Sequence, residues 1–334
     1  MTSKTVFLLF FVCTNLFSLS ACSEKPGSPA ITVTPDGKMT AFGAPAETFE
    51  ALKALLVDSI SNMQEVPGHL EIAFEGEVGM GMRQEVQTIV AESIEAARLA
   101  KLAPTVEMKT YVRKHGTDCN LPDSVRVFCA VVDLEYPVLT NGNKGLIAKV
   151  NKWREDFLLG LLEGGLEGSG KSKTLDEGAE AYFDIHDSYK DSPMGGAFEA
   201  STRSEVVLND GRFLTLGING YSYTGGAHGN HYQLLGTFDV KSGKLLDWND
   251  LVTDQKALLA IAEKKVREEK AEMFADGFDF NEMFVFALPF AYGLTKEGLR
   301  LHYVPYEIMP YAMGTTNVII PFEDLGDLCK ICRQ

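Results

Sequence analysis

An α+β fold, with antiparallel sheets against packed amphipathic helices, is what the sequence predicts, and three observations carry it. The stretch 143–162 sets Leu146, Ile147, Val150, Trp153, Phe157, Leu158, Leu161 and Leu162 on one broad helical stripe, which Gly164-Gly165 stops. Two β-rich runs, 204–208 and 212–223, flank Asn209-Asp210-Gly211, and Asp-Gly readily supplies the positive φ angles of a tight hairpin. A second hairpin is predicted between 287–294 and 299–303, across Thr295-Lys296-Glu297-Gly298. Hairpins with helices between them, and no internal repeat, indicate α+β architecture.

Taken in order, Phe49, Leu52, Leu56, Ile60 and Met63 step by three and four, so 46–64 reads as an amphipathic helix. Residues 70–75 alternate as a strand with one wet face. Val86, Ile89, Val90, Ile94 and Ala97 give a helix over 84–102, and Val106, Met108 and Val112 a strand over 105–113. The segment 125–132 is nearly all apolar, as in a strand covered on both faces. A helix is expected from 176 to about 189. Strand 231–240 ends at Lys241-Ser242-Gly243-Lys244. Helix 255–274 carries Leu258, Leu259, Ala262, Val266 and Met273 on one side, and 318–321 closes the set.

The N-terminus predicts export. Lys4 supplies a positive start, and Val6-Phe7-Leu8-Leu9-Phe10-Phe11-Val12 begins an apolar run too short to span a bilayer. It ends at Leu19-Ser20-Ala21-Cys22, the pattern of a lipobox, in which the Cys22 thiol receives a diacylglycerol. Ser23 rather than Asp follows, so the expectation is an outer membrane lipoprotein facing the periplasm, held to the membrane by its lipid alone. The expected organisation is a signal peptide over 1–21 and a Pro/Gly/Ser/Thr-rich flexible tether over 22–45. An N-terminal α/β domain over 46–230 and a C-terminal one over 231–334 follow. A net charge of −15, or −16 once Lys4 is lost with the signal, argues against nucleic acid or anionic lipid and is compatible with a cationic partner. Besides Cys13 and Cys22 the chain holds Cys119, Cys129, Cys329 and Cys332. In an oxidising compartment three pairings are open, and sequence proximity favours Cys119–Cys129 and Cys329–Cys332.

Gly165-Leu166-Glu167-Gly168-Ser169-Gly170-Lys171-Ser172 satisfies the Walker A pattern. A phosphate loop joins a strand to a helix, whereas this run follows a helix, and no strand ending in Asp is apparent downstream. No nucleotide is expected. Tyr221-Ser222-Tyr223-Thr224-Gly225-Gly226-Ala227-His228-Gly229-Asn230-His231-Tyr232 crowds aromatic, hydroxyl and imidazole groups around three glycines. His228 and His231 lack a third ligand at a recognisable spacing, so no metal or cofactor is expected there. No nucleophile motif accompanies His228, so no catalytic residue is assigned. The competing reading is a glycine-rich bend whose polar side chains satisfy buried backbone groups. Segment 298–314 combines two prolines with Tyr303, Tyr306 and Tyr311, a composition suited to a contact surface when exposed and to a core when buried.

The Tyr-Thr-Gly-Gly-Ala-His-Gly run at 223–229, Pro-Tyr-Glu-Ile-Met-Pro-Tyr-Ala-Met-Gly at 305–314 and Glu135-Tyr136-Pro137-Val138-Leu139 carry a resemblance. Over roughly 105–326 the chain resembles the paired extracytoplasmic domains of unknown function shared by the lysozyme-sensing anti-sigma factor RsiV and the peptidoglycan deacetylase PdaC. The resemblance implies a mixed α/β envelope module, which binds lysozyme in the anti-sigma factor and precedes a separate catalytic domain in the deacetylase. Neither a sigma-binding segment nor that catalytic domain is read in this sequence. The expected function is therefore a non-catalytic envelope lipoprotein binding a protein or cell-wall ligand, such as a lysozyme-like hydrolase, through Tyr223, Thr224, His228, Asn230, Tyr306, Glu307 and Tyr311. The rival is an enzyme acting on cell-wall glycans, with His228 and Asp239 or Glu307 in acid/base roles.

Overall fold

A computed structural model of the protein describes residues 29–122, 128–164, 171–191 and 196–332. The expected signal peptide, Cys22 and the 165–170 part of the Walker-like run lie outside these residues. The chain divides into two units, the first ending at Ile94 and the second starting at Glu95.

The first unit opens where a tether was expected. Three short strands, β1 (Ile31–Val33), β2 (Met39–Ala41) and β3 (Ala44–Ala46), form a sheet with β4 (Ile72–Phe74). β1 pairs with β4 in parallel and with β2 antiparallel. The sheet forms because Ile31, Val33, Met39 and Ala41 are all buried at alternate positions. Gly37, at φ 84°, closes the Thr34–Lys38 turn between β1 and β2. Helix α1 (Phe49–Ser61) is capped by Thr48 and buries Leu52, Leu56 and Ile60. Helix α2 (Met80–Leu102) buries Val86, Ile89, Val90 and Ile94, and Glu92 pairs with Lys53 of α1 at 2.5 Å.

In the second unit, strands β5 (Val106–His115), β6 (Cys129–Leu139), β7 (Ala197–Asn209), β8 (Phe213–Tyr223) and β9 (Asn230–Asp239) form one sheet in that order. Only β6 and β7 run parallel. A parallel pair needs a long crossover, which helices α3 (Lys144–Leu162) and α4 (Leu175–Ser188) supply. The Walker-like run therefore joins helix to helix. The predicted α3 stripe is buried at Leu146, Val150, Phe157, Leu158, Leu161 and Leu162, and α4 adds Tyr182 and Phe183 to the same core. Cys119 and Cys129 are bridged across the β5–β6 connection, with Cα atoms 5.0 Å apart.

After helix α5 (Trp248–Leu251), helix α6 (Gln255–Glu269) and helix α7 (Ala271–Ala275) replace the single helix expected over 255–274. Lys270 leaves helical geometry between them, and its ammonium donates to the carbonyls of Met313 and Thr315. Strands β10 (Ala291–Leu294), β11 (Gly298–Tyr303) and β12 (Thr316–Pro321) make an antiparallel sheet against α6, and helix α8 (Phe322–Leu325) follows. Cys329 and Cys332 are bridged at the C-terminal end, Cα atoms 5.6 Å apart.

The chain around the expected division at 231 runs in β9, within the unit that starts at Glu95. β9 pairs along its whole length with β8, from Ser222↔Asn230 to Phe213↔Asp239. Thr237 shares a buried hydroxyl contact with Thr215 of β8 at 2.9 Å and also accepts the Leu294 amide of β10 at 3.0 Å. β9 thus pairs with β8 and bonds to the β10 edge.

Candidate functional site

The site grows from two chain reversals. β8 ends at Tyr223, and residues 224–229 return the chain to β9 through Gly225 and Gly226, both at φ above 90°. β11 ends at Tyr303, and 304–315 return the chain to β12. Because β9 packs against β10, the two reversals meet.

Their aromatic side chains interlock. The imidazole of His228 lies over Tyr311, centroids 3.9 Å apart and planes 19° apart. Its Nε2 is 3.3 Å from the Tyr306 hydroxyl. The Tyr311 hydroxyl donates to the Gly229 carbonyl at 3.3 Å, and the Tyr306 and Tyr311 rings stand 5.7 Å apart. His231 adds an edge, 6.2 Å from Tyr311 and 5.3 Å from Tyr221. Offset aromatic pairs at these spacings are each worth about 1 kcal/mol beyond their buried area. The surface is therefore held in shape before any ligand arrives.

Tyr306 is 56% exposed and sits at φ 73°, a left-handed conformation that costs a bulky residue on the order of 1 kcal/mol. The turn is nonetheless enforced. The Tyr306 amide donates to the Met309 carbonyl at 2.8 Å, and Ile308 and Met309 beside it are buried. Strain that projects a half-exposed tyrosine is characteristic of contact sites.

Glu307 is half-buried and turns its side chain toward two backbone amides. Its carboxylate accepts the Phe290 amide at 2.9 Å and the Val304 amide at 3.1 Å, and burial pushes its pKa up. It is a positioning residue: it ties the Tyr306 turn to the segment bearing Phe290. That ring is 92% exposed, although an apolar side chain gave no reason to expect it at the surface. Tyr223 turns its hydroxyl to the Gly226 carbonyl at 3.0 Å, and its own carbonyl accepts from the buried Tyr182 at 3.1 Å. It thus braces the reversal. Thr224 is half-buried at the start of the reversal, and Asn230 is exposed at the start of β9. A groove of about 360 Å³ lined by Tyr221, Tyr223, Phe198 and Glu199 runs beside them.

Neither carboxylate of the rival reading hydrogen-bonds to His228, whose ring nitrogens face the Gly229 carbonyl and the Tyr306 hydroxyl. Asp239 lies at the far end of β9 from Asn230, roughly 30 Å along the strand, and accepts from the amide and hydroxyl of Ser242. Both Glu307 oxygens are taken by backbone amides. Among the described residues, the one group of three closely spaced metal-ligating side chains is His115, His186 and Asp187, which contains neither His228 nor His231.

The model of the family described as Deacetylase PdaC matches residues 128–231, and that of the protein of unknown function DUF3298 matches 249–323. The chain resembles both domains. His228 comes from the first match, while Tyr306 and Tyr311 come from the second, so the cluster is built where the two meet. Among solved structures, a DUF3298 family member from Bacteroides fragilis shares the fold at 20% identity and a TM-score of 0.50, covering 68% of this chain and 94% of that one. A DUF3298 family protein from Pseudomonas aeruginosa does so at 18% identity and a TM-score of 0.50, covering 69% and 97%. No curated protein matches the chain. The matched domains mark a cell-envelope-related protein, and among the described residues no helix is long and apolar enough to cross a membrane.

Proposed function

We propose that this protein is a lipid-anchored, non-catalytic binding protein of the cell envelope, whose His228–Tyr306–Tyr311 platform contacts a basic protein of the lysozyme-like hydrolase class. The observation that supports this best is the strained, half-exposed Tyr306 held against His228, with Phe290 exposed beside its turn. Rigid aromatic side chains give large contact area at low entropic cost and dominate protein-binding hot spots. The net charge of −15 favours a cationic partner and its rapid capture. In the anti-sigma factor that the sequence resembles, this module is the part that binds lysozyme. Cys22 carries the anchor in this reading, with the body facing the periplasm from the outer membrane.

Calorimetry of the full chain with a basic lysozyme, and separately with soluble peptidoglycan fragments, tests the ligand class. Saturable binding to the lysozyme that weakens as salt is raised supports the proposal. Binding to the fragments alone, or their turnover, sinks it in favour of a glycan-directed protein. Mass spectrometry of the mature N-terminus tests the anchor, where a diacylglyceryl cysteine is expected and an unmodified Cys22 contradicts it.

A further inference from the structure

We infer that His115, His186 and Asp187 form a zinc-binding site at the end of the five-stranded sheet. His115 is the last residue of β5, and His186 and Asp187 lie in the final turn of α4. All three donor atoms fall within 4.8 Å of one another.

The decisive group is His186, which is wholly buried. Its ring packs on Phe128 at 4.1 Å and Phe198 at 5.1 Å. Nε2 lies 3.0 Å from the Gly196 carbonyl, which can only accept, so Nε2 carries a proton and donates it. In the neutral ring Nδ1 then offers a lone pair. That atom is buried, makes no hydrogen bond, and lies 3.4 Å from Oδ1 of Asp187, another acceptor. Two acceptors this close call for a proton or a metal cation between them. A ring whose other nitrogen donates to a backbone carbonyl is also how metal-bound histidines are commonly oriented.

His115 supplies the third donor. Its Nε2 is 2.9 Å and 3.0 Å from the two Asp187 oxygens, and its ring stacks on Phe183 at 5.0 Å. The Cys119–Cys129 bridge fixes the same end of β5 to β6. Donors around a tetrahedral zinc sit roughly 3.4 Å apart, so a small rotation of His115 and Asp187 closes the site. Their side chains, 41% and 50% exposed, are free to make it and leave a fourth position to water. Two imidazole nitrogens with one carboxylate select zinc over the hard ions calcium and magnesium. The bound ion would pin β5 to α4.

The full chain, stripped with chelator and titrated with zinc sulfate by calorimetry, tests this. One equivalent should bind, and His115→Gln or Asp187→Asn should each weaken it by at least about tenfold. Both substitutions alter part-exposed side chains, so an unchanged far-ultraviolet dichroism spectrum separates metal loss from misfolding. His228→Ala should leave zinc binding intact. Absence of saturable binding in the wild type, or equal affinity in both variants, overturns the site. So does nitrogen NMR that shows a His186 imidazolium paired to Asp187 and unmoved by zinc.

Discussion

The imidazole of His228 lies flat on the ring of Tyr311 at 3.9 Å, although 82 residues separate Gly229 from the tyrosine whose hydroxyl it accepts. Two reversals from two different matched domains thus make one aromatic surface, and each interlocking contact yields an experiment.

Gly229 is needed at close approach. It is buried with the Tyr221 ring directly over its Cα, so an added methyl would overlap the ring. Gly229→Ala should displace the Tyr221 ring and cost about 1–3 kcal/mol, the usual penalty of overpacking. Thermal melts and near-ultraviolet dichroism check this; an unchanged aromatic spectrum contradicts it.

Glu307→Gln separates positioning from contact. The amide side chain has one acceptor oxygen where two backbone amides donate, so one loses its partner. A loss of about 1–2 kcal/mol is expected. Faster hydrogen exchange should appear at the amides of Phe290 and Val304. Wild-type exchange at both amides would show that Glu307 does not hold the turn.

His302 makes stability depend on pH. Burial pushes its pKa down to about 4, from 6.5 in the unfolded chain. Between these values the unfolded state binds the extra proton, so stability is full above pH 6.5 and is lost as pH falls toward 4. The loss is on the order of 3 kcal/mol at most. Its Nδ1 makes no hydrogen bond, so His302→Leu leaves no partner stranded and should flatten the profile across this window. Denaturant melts from pH 7 to 4 test it, and an equally steep profile in the variant contradicts the assignment.

The long elements were legible because periodicity is strong over many residues. The α3 stripe and the Asp210-Gly211 hairpin fall where they were predicted. Strands β1–β3 were missed because three residues hold too little alternation to outweigh the surrounding Pro, Gly and Thr. The Asp36-Gly37 pair was the available cue. The direction of a side chain is harder still to read. Glu307 and Tyr306 are neighbours in one motif, yet a positive φ sends the ring outward while the carboxylate turns in to two amides. His115 and Asp187 stand 72 residues apart, and only the crossover of α3 and α4 brings them together.

The central claim is that Tyr306 is held in a strained turn for contact and not for folding. Tyr306→Gly isolates it, because glycine adopts φ 73° freely. Stability and lysozyme capture by the full-length variant should be measured together. The account predicts a melting temperature within a few degrees of wild type, because the relieved strain offsets part of the lost ring contacts, with capture reduced at least about tenfold, as expected for a hot-spot aromatic. A variant that fails to fold, or one that binds as the wild type does, contradicts it.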